Sequence, residues 1–393
     1  MSNRLRLAIA GASARAAAFS ALRAGFDVVT ADLFADEDLR RRCPATRIPA
    51  SKYPEGLADW LAHQQVDAWM YTGALENFPQ LVDRMAGQML EKGVPLWGNQ
   101  GETLRRCRDP FELARVCKEA GIHFPETRPT ADGLPLDGSW LCKTYRGAGG
   151  SGTWLLDSQE SRRRAFLESA CFQRKLDGEL AAGVFIALDR QQSRLEVATR
   201  QLIRGAHFDR STHFDSHTHS DREGWAYSGS VVDVTLRERV SRGIDLKVPS
   251  LVRAFGLMGI FGIDMVIDND EVWVIEINPR YPASAEIGER DRGRVAGHAI
   301  AFGCAREALS VSRGSILGGK VIVYCKRITS IEPEFHQWAM EQADAGRLAD
   351  IPAAGTRLEK GQPVLTILEA SPGEGMLDRL KSRATEVESR LYR

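Results

Sequence analysis

The chain has 393 residues, which is too long for one ordinary hydrophobic core and suggests two to four packed units. Its 52 Lys and Arg residues balance its 52 Asp and Glu residues, so the formal net charge is zero. No field of the whole protein therefore attracts nucleic acid or an anionic membrane, and any anion-binding patch must be local.

The cysteine pattern and the hydropathy bound the class of protein further. The seven cysteines are odd in number and lie far apart without a Cys-x-x-Cys pair, which argues against a disulfide framework or a zinc knuckle. No segment reaches about eighteen uninterrupted apolar residues, so no membrane span is predicted. We expect a soluble, cytoplasmic protein whose partners are small molecules, with a homodimer left open.

Over the first hundred residues, short apolar runs alternate with helical patterns. The runs LRLAIA, FDVVTAD, VDAWMYT and VPLWGN are predicted strands, and helices are predicted over about residues 14–24 and 78–92. This series predicts a Rossmann-like α/β domain with a parallel sheet at residues 1–100. Gly11 follows the first strand, but a G-x-G-x-x-G fingerprint is absent, so a tight turn is favoured over a phosphate site.

The rest of the chain has an α+β pattern. A helical pattern over residues 101–121 ends at GIHFP, because glycine ends a helix and proline cannot continue it. Residues 101–315 form a second predicted domain, with a smaller subdomain at about residues 125–180 and a later hairpin, GIDMVIDNDEVWVIEINPR, that turns at Asn269 and Asp270. Residues 316–393 are predicted to form a small β-rich C-terminal appendage and a charged helix.

Three oxygen-bearing side chains interrupt the two apolar strands of that hairpin. Asp264 lies in the first strand, and Glu276 and Asn278, two residues apart in the second, share one face. Burying these groups is costly unless a cation or full hydrogen bonding compensates them, and Mg²⁺ prefers oxygen ligands. The set predicts a metal site for Mg²⁺ bound to a triphosphate. The alternative is a polar strand end in solvent.

A lysine and a glycine loop provide the second signal. Lys143 lies in the predicted strand SWLCKTY, and the loop RGAGGSG follows it. Backbone N–H groups of such a loop can bind phosphates, and the lysine adds a positive charge. A Gly-rich hairpin turn looks similar, so the loop alone is a weak signal. The predicted phosphate-binding residues of the loop are Gly147, Gly149, Gly150, Ser151 and Gly152.

The order of these segments, with FQRKLDGE between the glycine loop and the hairpin, resembles the ATP-grasp superfamily, which includes biotin carboxylase, the carbamoyl phosphate synthetase large subunit and D-alanine–D-alanine ligase. The resemblance covers about residues 1–310 and implies an adenine site between two α+β subdomains. Asp264, Glu276 and Asn278 would hold two Mg²⁺ ions, for which Mn²⁺ could substitute. The implied nucleotide contacts are Gln173, Arg174, Lys175 and Leu176 at the adenine and Glu179 at the ribose.

The resemblance also implies that two positively charged side chains take part in catalysis, and the chain departs from the family pattern at one position. Arg280 would contact a phosphate or the acyl phosphate, and Lys143 would face the triphosphate. Many relatives carry a basic residue where this chain has Pro110, which cannot bind phosphate but suits the first turn of a helix. The replacement is left open among Arg105, Arg106 and Arg108.

A histidine-rich segment, IRGAHFDRSTHFDSHTHSDREGWAYSG, is the third feature. His-x-His spacing can bind zinc or nickel, but the stretch is polar and lacks apolar periodicity. A solvated or substrate-covering loop is therefore favoured over a structural metal site. Its histidines and acidic residues are His207, His213, His217, His219, Asp209, Asp215 and Asp221.

The function implied by the resemblance is an ATP-dependent, ADP-forming carboxylate–amine ligase that makes an amide or peptide-type bond through an acyl phosphate. General similarity to carbamoyl phosphate synthetase-like ligases suggests an amino acid or a glutamylated cofactor as substrate. Two alternatives remain at this stage. One is an ATP-dependent carboxylase or phosphotransferase on the same fold. The other is a non-catalytic nucleotide-binding protein, against which the intact Asp264, Glu276, Asn278 and Arg280 set argues.

Overall fold

A parallel sheet organises the N-terminal hundred residues. The computed structural model describes residues 4–147, 149–203, 225–289, 293–305, 317–370 and 372–393. The parallel sheet has the order β3-β2-β1-β4, with helices packed against it, which agrees with the predicted α/β pattern. Its elements are β1 (Arg6–Ala10), α1 (Arg15–Arg23), β2 (Asp27–Asp32), α2 (Glu37–Arg40), β3 (Ala45–Arg47), α3 (Glu55–Ala62), β4 (Ala68–Tyr71) and α4 (Pro79–Leu90).

The helical pattern predicted over residues 101–121 forms two helices, α5 (Gly101–Arg108) and α6 (Pro110–Glu119). Pro110 lacks the N–H group that a continuous helix would use, so one helix must end before it. Asp109 then caps α6 by accepting hydrogen bonds from the backbone N–H groups of Phe111 and Glu112. The break leaves Arg108 at the end of α5.

A four-stranded antiparallel sheet follows, in the order β5-β8-β6-β7, with one helix against it. Its core contains Trp140, Cys142, Trp154 and Phe172. This small sheet lies within the subdomain predicted at about residues 125–180. The elements are β5 (Thr127–Arg128), β6 (Trp140–Thr144), β7 (Thr153–Leu155), α7 (Gln159–Leu167) and β8 (Ala170–Arg174).

An eight-stranded antiparallel sheet forms the centre of the protein, in the order β13-β12-β9-β10-β11-β14-β18-β16. Strands that were predicted to form a separate C-terminal appendage extend this sheet, because β14 pairs with β11; only β15 and β17 form a small sheet of their own. The strands are β9 (Glu179–Ala187), β10 (Ser193–Ile203), β11 (Tyr227–Val232), β12 (Gly259–Asp268), β13 (Glu271–Asn278), β14 (Gly319–Tyr324), β15 (Thr329–Ser330), β16 (Leu348–Ala349), β17 (Arg357–Leu358) and β18 (Pro363–Glu369).

Helices cover parts of this sheet. A π-helical turn at Ser241–Asp245 separates two of these helices. None of the helices in the described ranges is long and apolar enough to cross a membrane. The helices are α8 (Val234–Val240), α9 (Val248–Phe255), α10 (Arg294–Ala301), α11 (Pro333–Asp344) and α12 (Met376–Leu391).

The two faces of β9 and β12 bury different cores. Phe185 and Phe261 pack with residues of α8 and α9 on one face, whereas Val184 and Ile260 pack with β1 and α1 of the N-terminal domain on the other. Side chains alternate between the faces of a strand, so residues with even numbers in these two strands face the N-terminal domain. Asp264 is one of them.

Candidate active site

The hairpin of β12 and β13 brings the three predicted oxygen ligands together. Asn269 and Asp270 adopt left-handed backbone conformations (φ 47° and 65°), which is the geometry of a tight hairpin turn. The resulting register places Asp264 directly opposite Glu276. Asn278 Nδ2 donates a hydrogen bond of 3.0 Å to Asp264 Oδ2.

The two facing carboxylates repel each other. Burial and the charge of Glu276 together raise the pKa of Asp264 from 3.8 to about 6. A divalent cation between the carboxylates would compensate both charges, so the donor set of two carboxylates and one amide oxygen fits Mg²⁺. No cluster of three or more His, Cys, Asp and Glu side chains suited to a metal occurs in the ranges that the structure describes.

A glutamine that the sequence prediction missed completes the surroundings of Asp264. Gln201 Nε2, from β10, donates a hydrogen bond of 2.9 Å to Asp264 Oδ1. Gln201 lies opposite Ser230 of β11, and Ser230 lies opposite Lys320 of β14. These side chains form a polar row across the sheet, on the face that points towards the N-terminal domain. Only the pairing of strands far apart in sequence reveals this row.

Arg280 follows the hairpin and is held by a glutamate of the N-terminal domain. Its guanidinium binds Glu76 Oε1 through Nε at 3.0 Å and through an Nη atom at 2.8 Å, and it also donates to Asn278 Oδ1 at 3.0 Å. The side chain of Glu76 is fully buried. Arg280 therefore lies beside Asn278, one of the predicted metal ligands, and Glu76 holds its guanidinium in place. The only sequence signal for Glu76 was a charged residue shortly after an apolar strand.

Lys143 and the glycine loop line a cleft that also contains Glu276. Lys143 lies on β6, and its Nζ donates a hydrogen bond of 3.1 Å to Gln173 Oε1 on β8. Gln173 in turn donates to Thr127 Oγ1 at 3.3 Å. The predicted lysine, the loop and one predicted metal ligand thus share one cleft, although they lie more than a hundred residues apart.

The glycine loop lies against the start of β11. The carbonyl oxygen of Gly149 accepts a hydrogen bond of 2.8 Å from the N–H of Tyr227. Gly150 has φ 80°, and a Cβ atom on it would lie 1.8 Å from the carbonyl oxygen of Trp225. Both the backbone conformation and the close approach require glycine at this position. The contact connects the small sheet to the central sheet across the cleft.

Arg108 is the basic residue that reaches the cleft beside Pro110. Its guanidinium donates to the carbonyl oxygen of Gly147 at 2.9 Å and to Glu276 Oε1 at 3.4 Å. Arg105 and Arg106 instead form ion pairs with Asp83 and Glu112. Of the three arginines left open by the sequence, Arg108 is therefore placed to replace the usual basic residue.

The predicted nucleotide contacts at the end of β8 and just after it separate into two groups. Gln173 is buried in the cleft, whereas Arg174 is exposed and Lys175 Nζ pairs with Asp177 Oδ1 at 2.5 Å. The backbone N–H of Arg174 donates to Glu126 and that of Lys175 to Ser139. Leu176 is half-buried and begins the connection to the central sheet.

Glu179 does not face the metal ligands. It pairs with Ile267, three residues after Asp264, so alternation places the two carboxylates on opposite faces of the sheet. Its carboxylate forms ion pairs with Arg200 at 2.5 Å and Arg239 at 3.0 Å. Its side chain points towards α8, and the ribose contact of Glu179 stays a prediction. The histidine-rich segment, residues 204–224, lies outside the described residues.

Residues 107–284 match the family of ATP-grasp domains. The chain therefore contains an ATP-grasp domain, and the resemblance predicted from the lysine strand, the glycine loop and the EINPR hairpin is confirmed for this part of the chain.

One curated relative and several solved structures are similar to the chain. The carbamoyl phosphate synthase large chain of Thermotoga neapolitana is 24% identical over 212 residues, which cover 50% of this chain but 18% of that protein. The ATP complex of carboxyaminoimidazole ribonucleotide synthase from Aspergillus clavatus aligns over 100% of both chains with a TM-score of 0.65 and 16% identity. The L-amino acid ligase of Bacillus licheniformis aligns over 99% of this chain and 100% of its own, with a TM-score of 0.63 and 14% identity. At this identity the two structures show a shared fold.

Proposed function

We propose that the protein is an ATP-dependent, ADP-forming ligase that activates a carboxylate as an acyl phosphate and transfers the acyl group to an amine. The observation that supports this best is the facing pair of carboxylates, Asp264 and Glu276, whose repulsion a divalent cation would relieve. Glu276 shares its cleft with Lys143 and the glycine loop. This is the charge arrangement that phosphoryl transfer from ATP requires, because most of its catalysis is positioning and neutralisation of charge.

Each side chain has a role in binding or orientation. Asp264, Glu276 and Asn278 would hold Mg²⁺, which supplies charge neutralisation to the triphosphate when bound. Lys143, Arg108 and the glycine loop line the same cleft, where their N–H groups can hold phosphate oxygens. Gln173 holds the ammonium of Lys143 in place.

The reaction proceeds in two displacements. A carboxylate oxygen of the first substrate attacks the γ-phosphorus, and the bond to ADP breaks. A neutral amine nitrogen then attacks the acyl carbon, phosphate leaves with the electron pair of the C–O bond, and the nitrogen loses a proton. Arg280, held by Glu76 beside the metal ligands, is placed to stabilise negative charge on the acyl phosphate.

The test measures ATP-dependent phosphate release from a panel of carboxylates and amines, with bicarbonate in one arm to detect a carboxylase. Hydroxylamine added with the correct carboxylate should yield a hydroxamate, because it intercepts activated acyl groups. Glu276→Gln, which removes one negative charge at nearly constant size, should abolish both signals while the chain still folds. Asn269→Gly in the hairpin turn is the matched control and should leave activity largely intact. Unchanged turnover in Glu276→Gln would contradict the metal assignment.

A further inference from the structure

A short 3-10 turn of the N-terminal domain, Leu75–Asn77, contacts both the hairpin and the glycine loop. It follows β4, and Leu75 is fully buried. The backbone N–H groups of Asn77 and Phe78 close the turn by donating to the carbonyl oxygens of the residues three positions earlier. Thr72, just before the turn, pairs with Tyr281 in a parallel bridge. The turn is therefore fixed to the end of the β12–β13 hairpin.

Two adjacent side chains of this turn reach different parts of the site. Glu76 binds Arg280, which follows the hairpin, through Oε1. Asn77 Nδ2 donates a hydrogen bond of 3.3 Å to the carbonyl oxygen of Gly147, the first glycine of the loop. Successive side chains of a 3-10 helix are about 120° apart, because it has about three residues per turn. One turn therefore contacts both the arginine and the glycine loop.

The contact with Gly147 accounts for an amide at position 77. It is the only side-chain hydrogen bond of Asn77 among the residues that the structure describes, and Asn77 Oδ1 is buried there without a donor. A buried polar atom without a partner lowers stability, so local structure alone would favour an apolar side chain at this position. Asn77 is not among the described residues that line the cleft. Its amide therefore acts on the glycine loop and not directly on a ligand.

Holding Gly147 constrains the rest of the loop. Arg108 donates to the same carbonyl oxygen at 2.9 Å, so this oxygen receives two donors. A Cβ atom on Gly147 would lie 2.4 Å from the carbonyl oxygen of Ser151, and the N–H of Thr144 donates to Gly152 at 2.9 Å, so the two ends of the loop are in contact. In a trans peptide the carbonyl group and the following N–H point in opposite directions. Donors that hold the loop carbonyls from outside therefore set the direction of the loop N–H groups, which are the groups that bind phosphate.

Resting on the ligase function proposed above, we propose that Asn77 is a positioning residue that holds the glycine loop in the conformation that binds the triphosphate. Together with Glu76, it makes one turn of the N-terminal domain responsible for two parts of the site: the loop at the phosphates and Arg280 at the acyl phosphate. Asn77 contacts neither ATP nor the reacting atoms. Its effect is on ATP binding and not on the chemical step, because the loop holds the phosphates equally before and during the transfer.

Limited proteolysis with trypsin measures the position of the loop directly. Arg146 is exposed and precedes Gly147, so cleavage between them yields fragments 1–146 and 147–393, which mass spectrometry identifies. Asn77→Leu keeps the size of the side chain and removes the donor. It should speed this cleavage about fivefold, which is the effect of one neutral hydrogen bond on an opening equilibrium. Gln80→Leu, at an exposed position in the first turn of α4, is the matched control and should leave the rate unchanged.

Kinetics separate positioning from folding. In the phosphate-release assay, Asn77→Leu should raise KM for ATP about fivefold, with kcat within twofold of wild type and an unchanged melting temperature. Mg-ATP should protect the bond between Arg146 and Gly147 in the wild type, and the variant should need about fivefold more ATP for equal protection. A lower melting temperature without faster cleavage at Arg146 would show a merely structural role and overturn the proposal.

The proteolysis and the kinetics also distinguish this proposal from the ligase assignment. If no carboxylate or amine supports phosphate release, but Asn77→Leu is cleaved faster and needs more Mg-ATP for protection, the ligase function fails and the positioning role stands. If phosphate release occurs and the variant has an unchanged KM for ATP and an unchanged cleavage rate, the ligase function stands and the positioning role of Asn77 fails.

Discussion

Replacing Asp264 with Asn separates metal binding from folding. The substitution keeps the size of the side chain and removes one of two facing negative charges. Because the pKa of Asp264 in the folded protein lies near 6 and its ordinary value is 3.8, the ionised group destabilises the folded state above that range. The variant should therefore be more stable than the wild type at pH 8 in the absence of Mg²⁺.

The magnitude follows from two opposing effects. A rise of about two pKa units corresponds to an upper limit of about 3 kcal/mol of relieved repulsion and desolvation. Both Gln201 and Asn278 donate to the carboxylate, and an amide has only one oxygen, so one hydrogen bond is lost at a cost of about 1 kcal/mol. The net gain is about 1–2 kcal/mol at pH 8. It disappears by about pH 4–5, because the wild-type group becomes protonated as the pH falls through 6.

The assay is denaturant unfolding at pH 8 and pH 5, followed by thermal melting with and without Mg-ATP. Mg-ATP should protect the wild type more than Asp264→Asn, because ligand binding stabilises only the state that binds it. Asp268→Asn, on the same strand near the turn and opposite Glu271, is the matched control. Loss of stability in Asp264→Asn at pH 8, or equal protection by Mg-ATP, would refute the reasoning.

Three further outcomes are expected. Lys143→Met should lower kcat by about two to three decades, equivalent to about 3–4 kcal/mol, with an unchanged melting temperature, as steady-state kinetics and melting curves can check; near-wild-type kcat would exclude a phosphate role. Gly150→Ala should raise KM for ATP by tenfold or more, because its Cβ would collide with the Trp225 carbonyl; titration with ATP tests this, and unaltered KM would show that the loop contact is dispensable. Raising the pH from 5.5 to 7.5 should tighten Mg-ATP binding as Asp264 loses its proton, measurable by calorimetry, whereas a flat profile would contradict its ligand role.

The hairpin with its three oxygen ligands was predictable because its geometry is local. Glu276 and Asn278 share a face by strand alternation, and Asn269 and Asp270 adopt the left-handed conformations of a tight turn. The Lys143 strand and its glycine loop were recognisable for the same reason. The alternation of strands and helices in the first hundred residues likewise predicted the parallel sheet, since each element is specified by nearby residues.

Register and strand pairing across the chain were not predictable. The face of the sheet on which Glu179 lies could not be predicted, because a shift of one residue along a strand moves a side chain to the other face, and only the pairing with Ile267 sets that register. The strands of the expected appendage extend the central sheet, because β14 finds its partner in β11. Exposed strand edges pair wherever a complementary edge is packed, which sequence periodicity does not specify.

The sequence by itself predicted the ATP-grasp domain that residues 107–284 match and the hairpin that carries the proposed metal ligands, because these motifs act over a few residues. Only the tertiary structure decided which charges meet. Arg108 reaches Glu276 across 168 positions, and Arg280 meets Glu76 across 204. Three arginines in one helix turn look alike in sequence. Their partners differ because packing directs each guanidinium to a different neighbour, and Coulomb interactions depend on that distance and burial rather than on sequence separation.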